Sequence, residues 1–130
     1  MSLSGWRRWG LALGVMVVIF LASSIPSAQM PRFEVWDVLV KKGGHFTGYA
    51  VLGALYLRGL AYGQRATRRA WGLAILLALL YALTDELHQR FVSGRGATLT
   101  DVGIDTAGAL VGATIYFRRL RFNAETETRR

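Results

Sequence analysis

Four long apolar runs dominate this chain of 130 residues, and they constrain its fold more than any other feature. Each run is close to the roughly 20 residues that a helix needs to cross the hydrocarbon core of a membrane. Inside that core the backbone must satisfy its own hydrogen bonds, which only helices and closed barrels do. We therefore predict an all-α, polytopic membrane protein with four transmembrane helices in a compact bundle, at about 9–25, 43–63, 70–90 and 101–118.

A single domain accounts for these runs. We predict one transmembrane domain over residues 1–122 and a polar C-terminal tail over residues 123–130, where the sequence reads NAETETRR. Hydrophobic residues make up 52% of the chain and charged residues 18%, a balance that favours a membrane protein over a soluble globule. The chain has no cysteine, so disulfides and thiolate metal sites are excluded.

The first apolar run has a second interpretation. Its basic start, apolar middle and small residues around ASSIPSAQ are typical of a secretory signal peptide. However, Pro26 lies close to any cleavage site in that segment, and the later runs already require a membrane. We therefore favour a first helix that is retained.

Basic residues outnumber acidic residues by 16 to 8, for a formal net charge of +8. In a soluble protein this excess would suggest nucleic acid, but here the bases lie at the ends of apolar runs, which indicates topology and anionic lipid. We expect membrane lipids, and no nucleic acid, as partners. One set of bases lies before the first run, between the second and third, and after the fourth: Arg7, Arg8, Arg58, Arg65, Arg68, Arg69, Arg118, Arg119 and Arg121. The positive-inside bias therefore predicts that both termini and the middle loop are cytoplasmic.

At the opposite face, the stretch YALTDELHQRFVSGRGATLTDVGIDTAG places charge between the third and fourth apolar runs. A charge at the centre of a membrane helix costs at least about 2.5 kcal/mol on insertion scales, so acids near that depth need a partner, a proton or water. Helical spacing directs polar residues of the second, third and fourth helices toward one region. The candidate binding residues are Lys42, His45, Tyr49, Asp85, Glu86, Gln89, Arg95, Asp101 and Asp105.

Some of these residues also fit purely structural roles. Asp101 follows Thr98 at the spacing of a capping box, so it fits a helix cap better than a catalyst. Lys42 fits a helix-end lysine that snorkels to the headgroups, and His45 fits a polar residue bonded to a neighbouring helix. The acids inside the runs fit a functional role better, because ionisable residues at that depth are functional candidates: Asp85, Glu86 and Asp105.

The fourth run contains Gly108-x-x-x-Gly112, a spacing that lets two helices approach closely. We predict that this seam faces a neighbouring helix. We also expect the second, third and fourth helices to pack around the polar region, with the first helix more peripheral.

The sequence resembles the VanZ-like membrane proteins over nearly its whole length, in the order of the family's elements. DELHQRFVSGRGATLTD matches a D-E-x-x-Q-x-F element, a G-R turn and a following Asp, through Asp85, Glu86, Gln89, Phe91, Gly94, Arg95 and Asp101. KKGGHFTGYAVLGAL is similar to the K-x-x-H-x-x-x-Y-x-x-L-G element, through Lys42, His45, Tyr49, Leu52 and Gly53. SSIPS looks like the S-S-x-P segment, whereas Asp105 stands where the pattern has Asn.

This resemblance implies a small four-helix protein of the bacterial cell envelope, located in the cytoplasmic membrane. Through the founding member of the family, it also implies a link to low-level teicoplanin resistance.

The first functional hypothesis is a binding module at the outer leaflet. Lys42, His45 and Arg95 would hold the anionic headgroup of a lipid or of a lipid-linked cell-wall precursor. Glu86 or Asp85 is expected to hold the planar fork of Arg95 when no ligand is bound. No cofactor is predicted for this role.

The second hypothesis is a membrane-embedded enzyme that acts on a lipid-linked substrate by acid–base or metal-assisted chemistry. The residues suited to it are His45, Asp85, Glu86, His88 and Asp105. No nucleophile motif, phosphate loop or H-E-x-x-H spacing supports an enzyme. A proton pathway is disfavoured because the acids cluster at one face, and a structural helper of another envelope protein is a further alternative.

Overall fold

Four α-helices form most of this computed structural model, which describes residues 3–32 and 34–129. They are α1 (Leu3–Ser23), α2 (Asp37–Leu60), α3 (Arg68–Gln89) and α4 (Leu99–Thr128), with short 3-10 turns at Ser27–Gln29 and Glu34–Trp36. The described residues contain no β-strand, so the all-α prediction is confirmed. Residues 1, 2, 33 and 130, which belong to the predicted domain and tail, lie outside the described part of the chain.

The last helix, α4, is longer than the apolar run from which it was predicted. It continues to Thr128 and takes in most of the segment 123–130. No glycine or proline follows Gly112, and residues 118–130 contain five arginines and two glutamates. These residues are strong helix formers, so nothing in the local sequence ends the helix near residue 118.

Helices α1 and α3 run in the same direction. The Tyr81 hydroxyl donates a 2.6 Å hydrogen bond to the carbonyl oxygen of Met16, and further along both helices Ser24 Oγ lies 2.9 Å from His88 Nε2. At the start of α1, Arg8 Nε donates to the carbonyl oxygen of Gly59 near the end of α2. Helix α2 therefore runs antiparallel to α1.

Helices α2 and α4 run parallel to each other and approach backbone to backbone. A Cβ atom added to Gly108 would overlap the carbonyl of Phe46, and one added to Gly112 would overlap the carbonyl of Ala50. The prediction that this seam faces a neighbouring helix is confirmed, and the neighbour is α2. The parallel alignment brings the first turns of α2 and α4 to the same end of the bundle.

Helix α3 buries its small side chains and exposes most of its large apolar ones, the reverse of the arrangement in a soluble protein. Ala74, Ala78 and Ala82, spaced four apart, are fully buried. Six of the seven leucines of the same helix are exposed: Leu73, Leu76, Leu77, Leu80, Leu83 and Leu87. Small residues inside and large apolar residues outside are typical of helices that pack in lipid, where apolar exposure costs nothing.

Among the described residues, two helical segments are long and apolar enough to cross a membrane, Ser4–Ser23 and Arg68–Gln89. Core helices of soluble proteins also reach this length and hydropathy, but they bury their large apolar side chains. Most leucines of α3 are exposed instead, which indicates a membrane protein.

Candidate functional site

A cavity of about 190 Å³ opens at the end of the bundle where α1 and α3 finish and α2 and α4 begin. The structure brings seven of the nine candidate residues into its wall: Lys42, His45, Glu86, Gln89, Arg95, Asp101 and Asp105. Apolar side chains complete the wall, among them Met30, Val38 and Ile104. The cavity thus combines charged and apolar surface.

The other two candidates, Tyr49 and Asp85, are buried about one helical turn deeper. Tyr49 follows His45 in α2 and is 0% exposed, and Asp85 precedes Gln89 in α3 and is 3% exposed. Among the described residues, the Tyr49 hydroxyl and Asp85 Oδ1 have no hydrogen-bond partner. Both groups can therefore still form a hydrogen bond inside the bundle.

Two base–acid pairs join α2 to α4 across the cavity. Lys42 Nζ lies 2.6 Å from Asp101 Oδ1, and both side chains are partly exposed. His45 Nδ1 lies 3.4 Å from Asp105 Oδ1, and the Asp105 side chain is only 1% exposed. The parallel alignment of the helices produces both pairs, because each helix presents its polar residues one turn apart on the shared face.

Thr98 caps the start of α4, as its spacing from Asp101 predicts. Its Oγ1 accepts the backbone N–H of Asp101 at 3.2 Å, and its hydroxyl also lies 2.7 Å from Asp101 Oδ2. In a capping box the acid would accept a hydrogen bond from the backbone N–H of the cap residue. Here Glu86 Oε2, from α3, accepts that N–H at 2.9 Å and ties the end of α3 to the start of α4.

Arg95 is held mainly by backbone carbonyls at the end of α1. Its Nε donates to Ile25 at 3.1 Å, and its Nη2 donates to Ala22 at 2.7 Å. Its Nη1 donates to Gln89 Oε1 at 3.2 Å. The last carbonyls of a helix have no partner within the helix and carry partial negative charge, so they attract a cation.

The expectation that Glu86 or Asp85 binds the guanidinium group of Arg95 is therefore wrong. Glu86 accepts the backbone N–H of Thr98, and Asp85 accepts from Ser23. Backbone carbonyls at the end of α1 and just beyond it supply the partial negative charge that the sequence suggested would come from a carboxylate.

The expectation that the first helix is more peripheral is also wrong at this end of the bundle. Ser23, fully buried in the last turn of α1, donates a 2.8 Å hydrogen bond to Asp85 Oδ2. Gln89 Nε2 donates to the same oxygen at 3.1 Å. Nothing in the charge or periodicity of α1 singles out Ser23, and its only signal in the sequence is the SSIPS segment.

The turn that carries Arg95 is fixed against the segment after α1. Gly94 has φ +72°, and a Cβ there would lie 3.2 Å from the Cβ of Ser27. Ser27 Oγ also donates a 2.6 Å hydrogen bond to the carbonyl oxygen of Gly94. A glycine is required because the backbone is left-handed and the neighbouring segment is close.

One group of these side chains has the composition of a metal or acid–base centre. Ligand atoms of His45, Asp85 and Asp105 all lie within 4.8 Å of one another. His88 lies apart from this group, with its ring stacked on Phe20 at 4.5 Å between centroids. The structure therefore separates His88 from the residues with which the sequence grouped it.

A protein-family model described as VanZ/LLP1 matches residues 8–121. The match confirms the resemblance noted in the sequence and includes every residue of the cavity wall. Neither a curated protein nor a solved structure matches the chain.

Proposed function

This chain belongs to the VanZ/LLP1 family, and we propose that it is a multi-pass protein of the bacterial cytoplasmic membrane whose outer-leaflet cavity binds the anionic headgroup of an amphiphile. The headgroup carries phosphate, and it belongs to a membrane lipid or to a lipid-linked cell-wall precursor. The proposal has three parts: the number of spans, their orientation and the ligand.

All four helices cross the membrane in this proposal. The 24 residues of α2 and the 30 of α4 extend for about 36 Å and about 45 Å, more than the roughly 30 Å of the hydrocarbon core. Both helices pack against each other through Gly108 and Gly112, and their charges near the cavity end line its wall. Charges that face a polar cavity do not prevent a helix from spanning.

The arginine-rich end of the bundle is cytoplasmic in this proposal. The contact between Arg8 and Gly59 supports it, because it places the start of α1 beside the end of α2. The arginines of the N-terminus, of the loop between α2 and α3 and of α4 then gather at one end, away from the cavity. The positive-inside rule assigns that end to the cytoplasm and the cavity to the outer leaflet.

The observation that carries the ligand assignment is the position of Arg95 in the cavity wall. In the described part of the chain its hydrogen bonds go to carbonyl oxygens, to the amide of Gln89 and to the sulfur of Met30, and none goes to a carboxylate. No carboxylate therefore shares a hydrogen bond with Arg95 there, although Glu86 and Asp101 lie in the same cavity wall. These contacts use four of the five guanidinium N–H groups, so a phosphate oxygen would bind the remaining Nη1–H and would be attracted by the positive charge.

The rim of the cavity supports a ligand with an apolar tail. Val38 lines the cavity and is 63% exposed, and the next residue, Leu39, is exposed to the same extent. A headgroup in the cavity would place its acyl or prenyl chain along this apolar rim, in van der Waals contact with the exposed side chains.

The test compares retained lipids by native mass spectrometry of the protein purified in detergent. The probes are phosphatidylglycerol and phosphatidylcholine of the same acyl chains, with undecaprenyl diphosphate as a second anionic probe. We expect the wild type to retain anionic probes in preference to phosphatidylcholine. Preference for phosphatidylglycerol identifies a lipid ligand, and preference for undecaprenyl diphosphate identifies a cell-wall carrier.

Two variants make this test specific. Arg95→Ala should lose the preference for anionic probes, whereas Arg90→Ala, which removes an exposed arginine near the cavity, should keep it. Circular dichroism checks that both variants keep their helices. Equal retention of the three probes by the wild type, or an unchanged preference in Arg95→Ala, would contradict the proposal.

We further propose that this binding contributes to teicoplanin tolerance. Family membership supports it, as does a cavity on the side of the membrane where glycopeptides meet lipid-linked precursors. A strain that lacks the protein should become more susceptible to teicoplanin, and Arg95→Ala expressed at matched levels should not restore tolerance. If that variant restored tolerance, teicoplanin tolerance would not depend on the cavity.

A second candidate function is a membrane-embedded enzyme acting on a lipid-linked phosphate ester. The observation that favours it is the group of His45, Asp85 and Asp105 at the inner end of the cavity. An imidazole beside two carboxylates supports acid–base or metal-assisted hydrolysis. Release of inorganic phosphate from undecaprenyl diphosphate by the wild type, and not by Asp105→Asn, would favour this function over simple binding.

A further inference from the structure

We infer that His45, Asp85 and Asp105 form a binding site for a divalent transition-metal ion. One residue comes from each of α2, α3 and α4, so three separate helices deliver one ligand each. Their candidate ligand atoms all lie within 4.8 Å of one another. This site goes beyond headgroup binding and does not depend on it, because it is formed by protein side chains alone.

The first argument is that three buried carboxylate oxygens in this group accept no hydrogen bond among the described residues: Asp85 Oδ1 and both oxygens of Asp105. Asp105 is 1% exposed, and among the described residues neither of its oxygens accepts a hydrogen bond. Its nearest base is His45, whose Nδ1 lies 3.4 Å from Oδ1. A buried carboxylate that accepts no hydrogen bond is costly, and a second carboxylate nearby raises that cost. A cation bound between them would remove both penalties.

The second argument is the orientation of Asp85. Its Oδ2 accepts hydrogen bonds from Ser23 and from Gln89, at 2.8 Å and 3.1 Å. In the described part of the chain its Oδ1 accepts none, although it is buried. Metal-binding carboxylates are commonly fixed in this way, with outer partners on one oxygen and the metal on the other.

The ligand set determines the class of metal. One imidazole nitrogen and two carboxylate oxygens suit Zn²⁺ or Mn²⁺, whereas Ca²⁺ and Mg²⁺ prefer oxygen alone. The two carboxylates balance the two charges of such an ion. Zinc–ligand distances of about 2.0–2.2 Å place two ligand atoms at most about 4.4 Å apart, so small side-chain rotations bring the three groups to bonding distance.

The site is also accessible. His45 and Asp105 line the cavity, so an ion can reach them from the outer face. Tyr49 lies beside them, with its ring centroid 6.4 Å from that of His45 and its buried hydroxyl without a hydrogen-bond partner among the described residues. This hydroxyl is a candidate for a further ligand or for a partner to a metal-bound water.

The rival explanation is that protons, and not a metal, compensate the two carboxylates. Metal titration separates the two. The protein is purified in detergent without a polyhistidine tag, treated with a chelator and dialysed, and then titrated with Zn²⁺ or Mn²⁺ by calorimetry. Elemental analysis after removal of free metal gives the stoichiometry. We expect one ion per chain and a rise in melting temperature on binding.

Matched variants complete the test. Asp105→Asn and His45→Ala should weaken binding by at least about tenfold and abolish the rise in melting temperature. Glu125→Gln should bind as the wild type does, because Glu125 is exposed near the other end of α4 and lies outside both the ligand set and the cavity wall. It makes the same change from carboxylate to amide as Asp105→Asn.

X-ray absorption spectroscopy of the zinc-loaded wild type should show one imidazole and otherwise oxygen ligands, a readout that does not depend on any variant. No binding by the wild type, or equal binding by Asp105→Asn in a helical protein, would overturn the site. The two proposals fail separately, because metal binding is measured without lipid, and retention of phosphatidylglycerol is measured both with and without chelator.

Discussion

Ser23 Oγ, in the last turn of α1, donates a 2.8 Å hydrogen bond to Asp85 Oδ2 in α3, and both side chains are buried. This contact joins residues 62 positions apart and makes α1 a structural part of the polar site. The contact orients the buried carboxylate of Asp85, which Gln89 also contacts.

The first prediction concerns this contact. Ser23→Ala should lower the free energy of unfolding by about 1–3 kcal/mol, because it leaves a buried acceptor with one partner fewer. The measurement is the melting temperature of the purified protein in detergent.

The control for this prediction is Thr47→Ala, which removes an exposed hydroxyl bonded to the carbonyl of Gly43 in its own helix. The two variants delete a comparable polar group, so the comparison isolates the buried contact. Equal melting temperatures would mean that the Ser23–Asp85 bond contributes nothing net to stability.

The seam between α2 and α4 gives the second prediction. Gly112→Ala should destabilise the fold by about 1–3 kcal/mol, because the new Cβ overlaps the carbonyl of Ala50. Gly103→Ala, in the same helix, meets no atom within 4 Å and should be neutral or stabilising by up to about 1 kcal/mol. Equal melting temperatures of the two variants would contradict the close approach of the helices.

The third prediction concerns the geometry of Arg95. Arg95→Lys keeps the charge but cannot reach the carbonyls of Ala22 and Ile25 and the amide of Gln89 together. It should therefore lose the preference for phosphatidylglycerol nearly as fully as Arg95→Ala. Arg90→Lys serves as the control for the same chemical change at an exposed position. Full retention of phosphatidylglycerol by Arg95→Lys would show that charge alone suffices.

The ion pair between Lys42 and Asp101 gives the fourth prediction. Their side chains are 41% and 25% exposed, so solvent screens the pair, and its coupling should be only about 0.2–1 kcal/mol. A double-mutant cycle of Lys42→Met and Asp101→Asn measures it, and asparagine keeps an oxygen near the hydroxyl of Thr98. A weak pair leaves Lys42 free to turn toward a bound anion, whereas a coupling well above this range would assign it a structural role.

The fifth prediction is the topology. Since the chain has no cysteine, single probes at Gln64 and Ser93, both exposed, report the two ends of the bundle without background. An impermeant thiol reagent added to intact cells should label Ser93→Cys and not Gln64→Cys. Labelling at Gln64→Cys would reverse the orientation, and a mature protein that starts after Ser24 would remove the first span.

Much of the architecture could be predicted from the sequence because the signals are local. Apolar runs, Gly108-x-x-x-Gly112 and the spacing of Thr98 to Asp101 each depend on neighbouring residues and the helical period. The same period grouped His45 with Tyr49 and Asp101 with Asp105, and the structure places all four near one end of the bundle. Helix ends were less accurate, since α4 continues through a segment that the apolar pattern does not include.

The partners of the charged groups could not be predicted in this way. Charge alone suggested a carboxylate for Arg95, but the end of α1 provides backbone carbonyls, which no sequence pattern marks. Glu86 was assigned to a base and instead accepts a backbone N–H from Thr98, twelve residues away. Both outcomes depend on which helix ends meet in space.

By itself, the sequence determined the helical class, the small-residue seam and the set of polar residues that gather at one end, because these follow from local composition and the 3.6-residue repeat. Only the tertiary structure decided that α2 and α4 run parallel, that α1 contributes Ser23 to the site, and that His45, Asp85 and Asp105 converge. The physical reason is that packing brings together segments that are distant in the sequence. Each buried polar group then binds the nearest partner that the assembled helices present, whether side chain or backbone.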